Sequence, residues 1–213
     1  MKMKSISKYT QAFVHRSYVN EHPGKQSNER LEFLGDSVLS LVISNRLYKL
    51  FPDLPEGQLT ARRSYLVQTT TLAERAKDLG LDKHLLLSAG EEQSGGRTNT
   101  GLLANTFEAV LGAMYLDDGL SACEEYLLEI FPDSELLNLA PSQVKDSKSL
   151  LQERAQSQNL GTPFYKVLSA EGPDHARKFT VAVSVNGKQL ATGQGTSKQR
   201  AEAAAATAAV AVI

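Results

Sequence analysis

The hydrophobic period of this 213-residue chain changes once along its length. From Ser5 to about Phe131 apolar residues recur at helical spacing. Near the other end Phe179, Val181, Val183 and Val185 alternate with Thr180, Ala182 and Ser184, the period of a half-buried strand. One core cannot serve both patterns, and the length is ample for two. Between them Pro132–Lys148, PDSELLNLAPSQVKDSK, holds two prolines and few large apolar residues after Leu139. The expectation is therefore multidomain: an all-α domain over 1–139, a linker over 140–146 and a small α+β domain over 147–213.

The second domain reads as helix–strand–strand–strand–helix. Ser149–Gln158 is helical, with Leu150 and Leu151 as its apolar anchor. Strands follow at Phe164–Leu168 and Phe179–Val185, and Asn186-Gly187 is a two-residue hairpin signal into Lys188–Thr192. After Gly193-Gln194-Gly195 comes a long Ala-rich helix whose expected N-cap is Ser197.

In the first domain the chemistry gathers on two helices. Asn28–Leu39, NERLEFLGDSVL, carries Glu29, Glu32 and Asp36 at spacings that stack side chains along one helical face. Ser27 or Asn28 is the expected cap, and the helix runs to about Leu50 before Phe51-Pro52-Asp53 breaks it. Leu31, Phe33, Leu34, Val38 and Leu39 make this helix otherwise apolar, and buried carboxylates are costly unless a cation or donors meet them. Acids in a first turn also complement the helix dipole and can simply face water, so alone the pattern is ambiguous. Ala104–Leu116, ANTFEAVLGAMYL, tips the balance. It is apolar nearly all round yet carries Asn105 and Glu108 on one face. Facing Glu32 and Asp36 across a helix pair, these groups make an all-oxygen cluster without His or Cys, which suits Mg²⁺ with Mn²⁺ as a substitute. No His stands three residues after Glu29, Glu32 or Glu108, so a di-iron bundle is not indicated.

Between these helices Pro55-Glu56-Gly57 opens a further helix, Thr69–Thr71 restarts another that Gly80 closes, and Gly90–Thr100, GEEQSGGRTNT, reads as a flexible surface loop. One cysteine, Cys123, excludes an internal disulfide framework and fits a reducing cytosol. The first residues, MKMKSISKYT, lack the apolar stretch of a secretory signal, and no run is long and apolar enough to span a membrane. Net charge divides unevenly. Residues 1–145 hold 15 Lys and Arg against 19 Asp and Glu, and residues 146–213 hold 8 against 5. An acidic metal-binding part and a basic tail suit catalysis separated from capture of an anionic partner.

NERLEFLGDSVL resembles the signature of the ribonuclease III family, the endonucleases of double-stranded RNA. The resemblance extends through HRSY at His15–Tyr18, PEGQLTARRSYLV at Pro55–Val67 and ANTFEAVLGAMYLDDG at Ala104–Gly119, and the tail resembles the double-stranded-RNA-binding domain of bacterial members. It implies that Glu32, Asp36, Asn105 and Glu108 hold the metal, with Asp36 and Glu108 central to catalysis. Asn105 departs from the Asp of the best-known members and removes one negative charge. Glu29 and Glu56 match secondary acidic positions that reach a second metal, outer waters or a partner subunit; Glu56 alone also reads as a first-turn helix acid. In the tail the resemblance implies RNA contacts from Gln152 and Glu153, from His175 and from Ser197, Lys198 and Arg200. It further implies a cytoplasmic homodimer, 5′-phosphate and 3′-hydroxyl products, and roles in ribosomal-RNA precursor, messenger-RNA and other RNA processing. The main rival is a duplex-RNA-binding protein with a decayed nuclease domain. Asn105 is its only support, and the intact acids argue against it.

Overall fold

Two long helices carry the first domain, and their sequences explain why they cross so closely. The computed structural model describes residues 6–140, 144, 147–173 and 177–213, and the chain forms two units, Met1–Leu139 and Ala140–Ile213. In the first unit α1 is Arg16–Glu21, α2 Glu29–Leu50, α3 Glu56–Val67, α4 Thr69–Asp78, α5 Ala89–Gln93, α6 Thr100–Ile130 and α7 Asp133–Leu137. Short 3₁₀ segments lie at Ile6–Phe13, Leu81–His84 and Gly96–Thr98. Helix α2 buries Leu39, Ile43 and Leu47, and α6 buries Leu103, Phe107, Leu111 and Leu127.

Gly35 and Gly112 sit where α2 and α6 meet. A Cβ at Gly35 would run into the carbonyl of Glu108, and one at Gly112 into the carbonyl of Leu31. The two backbones therefore touch without side chains between them, which glycine alone permits. Glycine inside a helix costs about 1 kcal/mol relative to alanine, so two of them facing each other mark a packing requirement. Lower down, Arg46 of α2 donates to the carbonyls of Leu127 and Phe131 and pairs with Asp133. It thereby ties the end of α6 to α2, sharing the Leu127 carbonyl with the Phe131 backbone N–H.

The start of α2 differs from expectation. Asn28 occupies the N-cap position but makes no capping side-chain bond; it is buried and donates to the Ala12 carbonyl at 3.1 Å. The neighbouring Ser27 hydroxyl donates to Glu29 at 2.7 Å. Asn28 thus ties the helix to the preceding segment, a demand from tertiary structure that local sequence does not reveal. The expected loop over 90–100 is also more ordered in form than its composition suggested. It folds into α5 and a 3₁₀ turn, and Arg97 clamps it by donating to the Asp82 and Leu85 carbonyls and pairing with Glu92.

Of the expected linker over 140–146, only Ala140 and Val144 lie within the described residues. The second unit contains α8 Ser147–Ser157, β1 Phe164–Glu171, β2 Lys178–Val185, β3 Lys188–Gly195 and α9 Lys198–Val210. Its three antiparallel strands lie in the order β1-β2-β3. Asn186 and Gly187, both at positive φ, make the β2–β3 turn. Leu151 of α8, Val183 of β2 and Ala205, Ala206 and Ala209 of α9 form the core. Small alanines let α9 lie close on the sheet. Lys148 pairs with Glu202, and Arg154 donates to the carbonyls of Val210 and Ile213, so α8 and α9 run side by side in one direction. Among the described residues no helix is long and apolar enough to cross a membrane.

Candidate active site and RNA-contact residues

The glycine crossing sets the register between α2 and α6. With Gly35 against the Glu108 backbone, Glu32 lies one turn before the contact and Asp36 immediately after it. Asn105 and Glu108 face them from α6. The electrostatics record the proximity. Glu108 is half-buried, and its carboxyl is pushed up to about 7 by desolvation, then by the charges of Asp36 and Glu32. Glu32 is raised by desolvation and the charges of Glu29 and Asp36, offset by Arg16 and by a hydrogen bond from Asn105. Only the amide of Asn105 can donate that bond; a carboxylate there would add repulsion instead.

Glu32 and Asn105 also line a cavity of about 340 Å³ with His15, Arg16, Asn28 and Glu29. Glu29 therefore belongs beside the cluster. Glu56 does not. It sits in a separate cavity of about 150 Å³ with Ser44, Tyr48 and Arg63, where Thr60 donates to it at 3.0 Å. Ser44 and Tyr48 belong to the C-terminal half of α2, remote from the half that carries Glu32 and Asp36. Among the described residues no three His, Cys, Asp or Glu side chains converge tightly enough to hold a metal by themselves. The donor set is nonetheless all hard oxygen with an excess of negative charge, the chemistry that suits a hydrated divalent cation.

In the second unit Gln152 and Glu153 are exposed on α8. Ser197 caps α9, its hydroxyl accepting from the Arg200 backbone N–H at 3.2 Å. Lys198 and Arg200 are exposed in the first turn, with Arg200 donating to Thr196 at 3.1 Å. His175 lies outside the described residues. Arg154, exposed on α8, donates to the carbonyls of Val210 and Ile213 at the end of α9.

Residues 6–134 match the family model described as ribonuclease-III-like, and residues 147–213 match the double-stranded RNA binding motif. The chain belongs to the ribonuclease III family. It is 46% identical over 198 residues to ribonuclease 3 of Symbiobacterium thermophilum, covering 92% of this chain and 83% of that one. Ribonuclease 3 of Streptococcus thermophilus is 46% identical over 202 residues, covering 93% and 87%. Among solved structures, the nuclease domain of ribonuclease III from Campylobacter jejuni superposes with a TM-score of 0.56 at 32% identity. It covers 62% of this chain and 90% of its own, and is described for flexibility in a region involved in dimer formation.

Three features of this family member escape a reading of acids alone. Gly35 and Gly112 fix the helix register, and the signal was available as two glycines inside apolar helices. Asn28 anchors the entry to α2. His15 and Arg16 form a wall of the cavity next to the acids.

Proposed function

We propose that this chain is a Mg²⁺-dependent endoribonuclease that cuts double-stranded RNA into 5′-phosphate and 3′-hydroxyl ends. The observation that carries the reading is the placement of Asn105 and Glu108 opposite Glu32 and Asp36 at a glycine-tight crossing. Glu32, Asp36, Glu108 and the carbonyl oxygen of Asn105 would hold Mg²⁺ or Mn²⁺. When bound, the metal supplies an activated water and stabilises charge on the phosphodiester. The chain's own part is to hold four oxygen donors on two rigid helices and to keep one of them, Glu108, partly shielded from solvent. The exposed Gln152, Glu153, Lys198 and Arg200, with His175, would take the duplex. The cellular work we assign is ribosomal-RNA precursor and other RNA processing in the cytoplasm, consistent with a single free cysteine, Cys123.

A homodimer fits the surface. Phe33, Leu41 and Tyr48 recur along one stripe of α2 and are 78%, 57% and 73% exposed, and Leu120 of α6 lies beside Leu41 and Tyr48. Phe33 is therefore surplus to the core of its own chain, and a second copy would cover it. Tyr48 borders both this stripe and the cavity of Glu56. In such a dimer Glu56 would serve the partner's acidic site, which explains its distance from the cluster in its own chain.

The test is cleavage of an end-labelled RNA duplex with Mg²⁺, with EDTA as control and with end-group analysis of the products. Metal-dependent short fragments bearing 5′-phosphates support the reading. Duplex binding without products across wide Mg²⁺ and Mn²⁺ ranges would leave a binding protein only. In the same assay Asn105→Asp is expected to lower the half-saturating Mg²⁺ concentration several-fold, because a fourth carboxylate strengthens the pull on a cation. An unchanged or higher metal requirement would contradict that role for Asn105.

A further inference from the structure

One wall of the cavity beside the acidic cluster is basic, and the metal site does not explain it. Arg16 opens α1 and lines that cavity with Glu29, Glu32 and Asn105. Its side chain is exposed. Among the described residues its guanidinium makes no hydrogen bond or ion pair, although Glu32 lies near enough for its charge to be felt. An arginine meant only to neutralise these acids would pair with one of them, since a bidentate guanidinium–carboxylate bond is among the strongest available.

The backbone that carries Arg16 is held from several sides. The His15 N–H donates to the Leu86 carbonyl at 3.1 Å, and the Ser88 N–H donates to the Ser17 hydroxyl at 3.1 Å. His15 Nδ1 accepts from the Ser17 backbone at 3.3 Å and bonds the Ser17 hydroxyl at 2.8 Å. The Asn28 N–H donates to the Val14 carbonyl at 2.8 Å and so ties this turn to the start of α2. A rigid backbone with an unengaged planar cation is pre-organised for an external anion. RNA passing the acidic cluster presents such anions on both sides of the bond to be cut, and guanidinium matches phosphate oxygens two at a time.

We propose that Arg16 is a phosphate-binding residue for the RNA strand, gripping a phosphate next to the scissile one from the cavity lined by Glu29, Glu32 and Asn105. This rests on the nuclease reading above. Arg16 acts on the strand and not on the metal, so its loss weakens substrate capture more than turnover.

The experiment uses the full chain and a short RNA duplex. Arg16→Ala is expected to raise KM about tenfold with kcat within about twofold, as uniform binding is lost. Binding measured in EDTA is expected to show a salt dependence shallower by about one charge per site. Arg16→Lys keeps the charge without the planar fork and is expected to restore the salt slope but only part of KM. A duplex carrying one uncharged methylphosphonate beside the scissile phosphate should reproduce the loss in the wild-type protein and add nothing to Arg16→Ala. Additive effects of the two changes, or an unaltered KM and salt slope, would overturn the proposal. So would a variant that changes only the half-saturating Mg²⁺, which assigns Arg16 to charge balance with the acids. Absence of cleavage by the wild-type protein would sink the nuclease reading instead, while the salt slopes would still report on Arg16.

Discussion

Glu108→Ala is expected to reduce duplex cleavage by a factor on the order of 10³ and to leave duplex binding nearly unchanged. The carboxylate comes from α6, whereas Glu32 and Asp36 come from α2, so its removal leaves the uncharged Asn105 as the one donor on the α6 side. Gln152, Glu153, Lys198 and Arg200 belong to the other unit and Arg16 to the opposite wall of the site, so a gel-shift measurement should separate the two effects. Wild-type-like cleavage by the variant would show that the crossing of α2 and α6 is not the catalytic centre. The same residue carries a stability signature. Its carboxyl is pushed up to about 7 from an ordinary 4.5, by desolvation first and then by Asp36 and Glu32. The folded protein therefore binds more protons than the unfolded chain between these two values, and stability falls as pH rises through that window. Glu108→Gln, which cannot ionise, is expected to melt above the wild type at pH 8 without divalent ions and to match it near pH 4. If the proposed site holds Mg²⁺, the ion should raise the melting temperature of the wild type more than that of the variant, since the variant lacks one of the proposed ligands. A variant less stable than wild type at pH 8 in EDTA would contradict this account.

Much of this architecture was legible because its signals are local. The switch from period 3.6 to period 2 separates the two domains, and Asn186-Gly187 takes the positive φ values that its hairpin requires. Ser197 caps α9 as its sequence position predicts, because a cap needs only its own next turn. Asn28 fails the same reasoning: its side chain serves Ala12, sixteen residues upstream, and no local pattern encodes that partner. The loop over 90–100 looked featureless since glycine and small polar residues dominate it. Its shape depends on Arg97 reaching back to Asp82 and Leu85. At the site, spacing alone put Glu32 and Asp36 on one face and Asn105 and Glu108 on another. It could not say that Glu56 would lie apart from them, since that follows from where α3 packs along α2. Nor could it distinguish Phe33 as core or surface, because an apolar residue on an amphipathic helix satisfies either.

Gly35→Ala is expected to destabilise the first unit by about 3 kcal/mol or more, at the upper end of what overpacking costs. The methyl group would meet the carbonyl of Glu108, which is backbone inside a helix and cannot rotate away as a side chain would. Relief requires α2 and α6 to move apart, and the buried Leu39, Ile43, Phe107 and Leu111 would lose contact with one another. The same separation pulls Glu108 and Asn105 away from Glu32 and Asp36, so whatever protein remains folded should cleave poorly at saturating Mg²⁺. Urea unfolding followed by circular dichroism measures the first effect, and cleavage at a temperature where the variant is still folded measures the second. Leaving out the methyl group is what brings the donors together; an alanine substitution at an exposed position of the same helix, such as Ser37→Ala, should show neither effect. Should Gly35→Ala retain wild-type stability and cleavage, the two helices must have room that the crossing does not have. The register that places the acids would then need another origin. Gly112→Ala supplies the independent check from the opposite helix, since its methyl group meets the Leu31 carbonyl one turn away. The double variant should be less damaging than the sum of the two, because the first methyl group already forces the gap that the second would occupy.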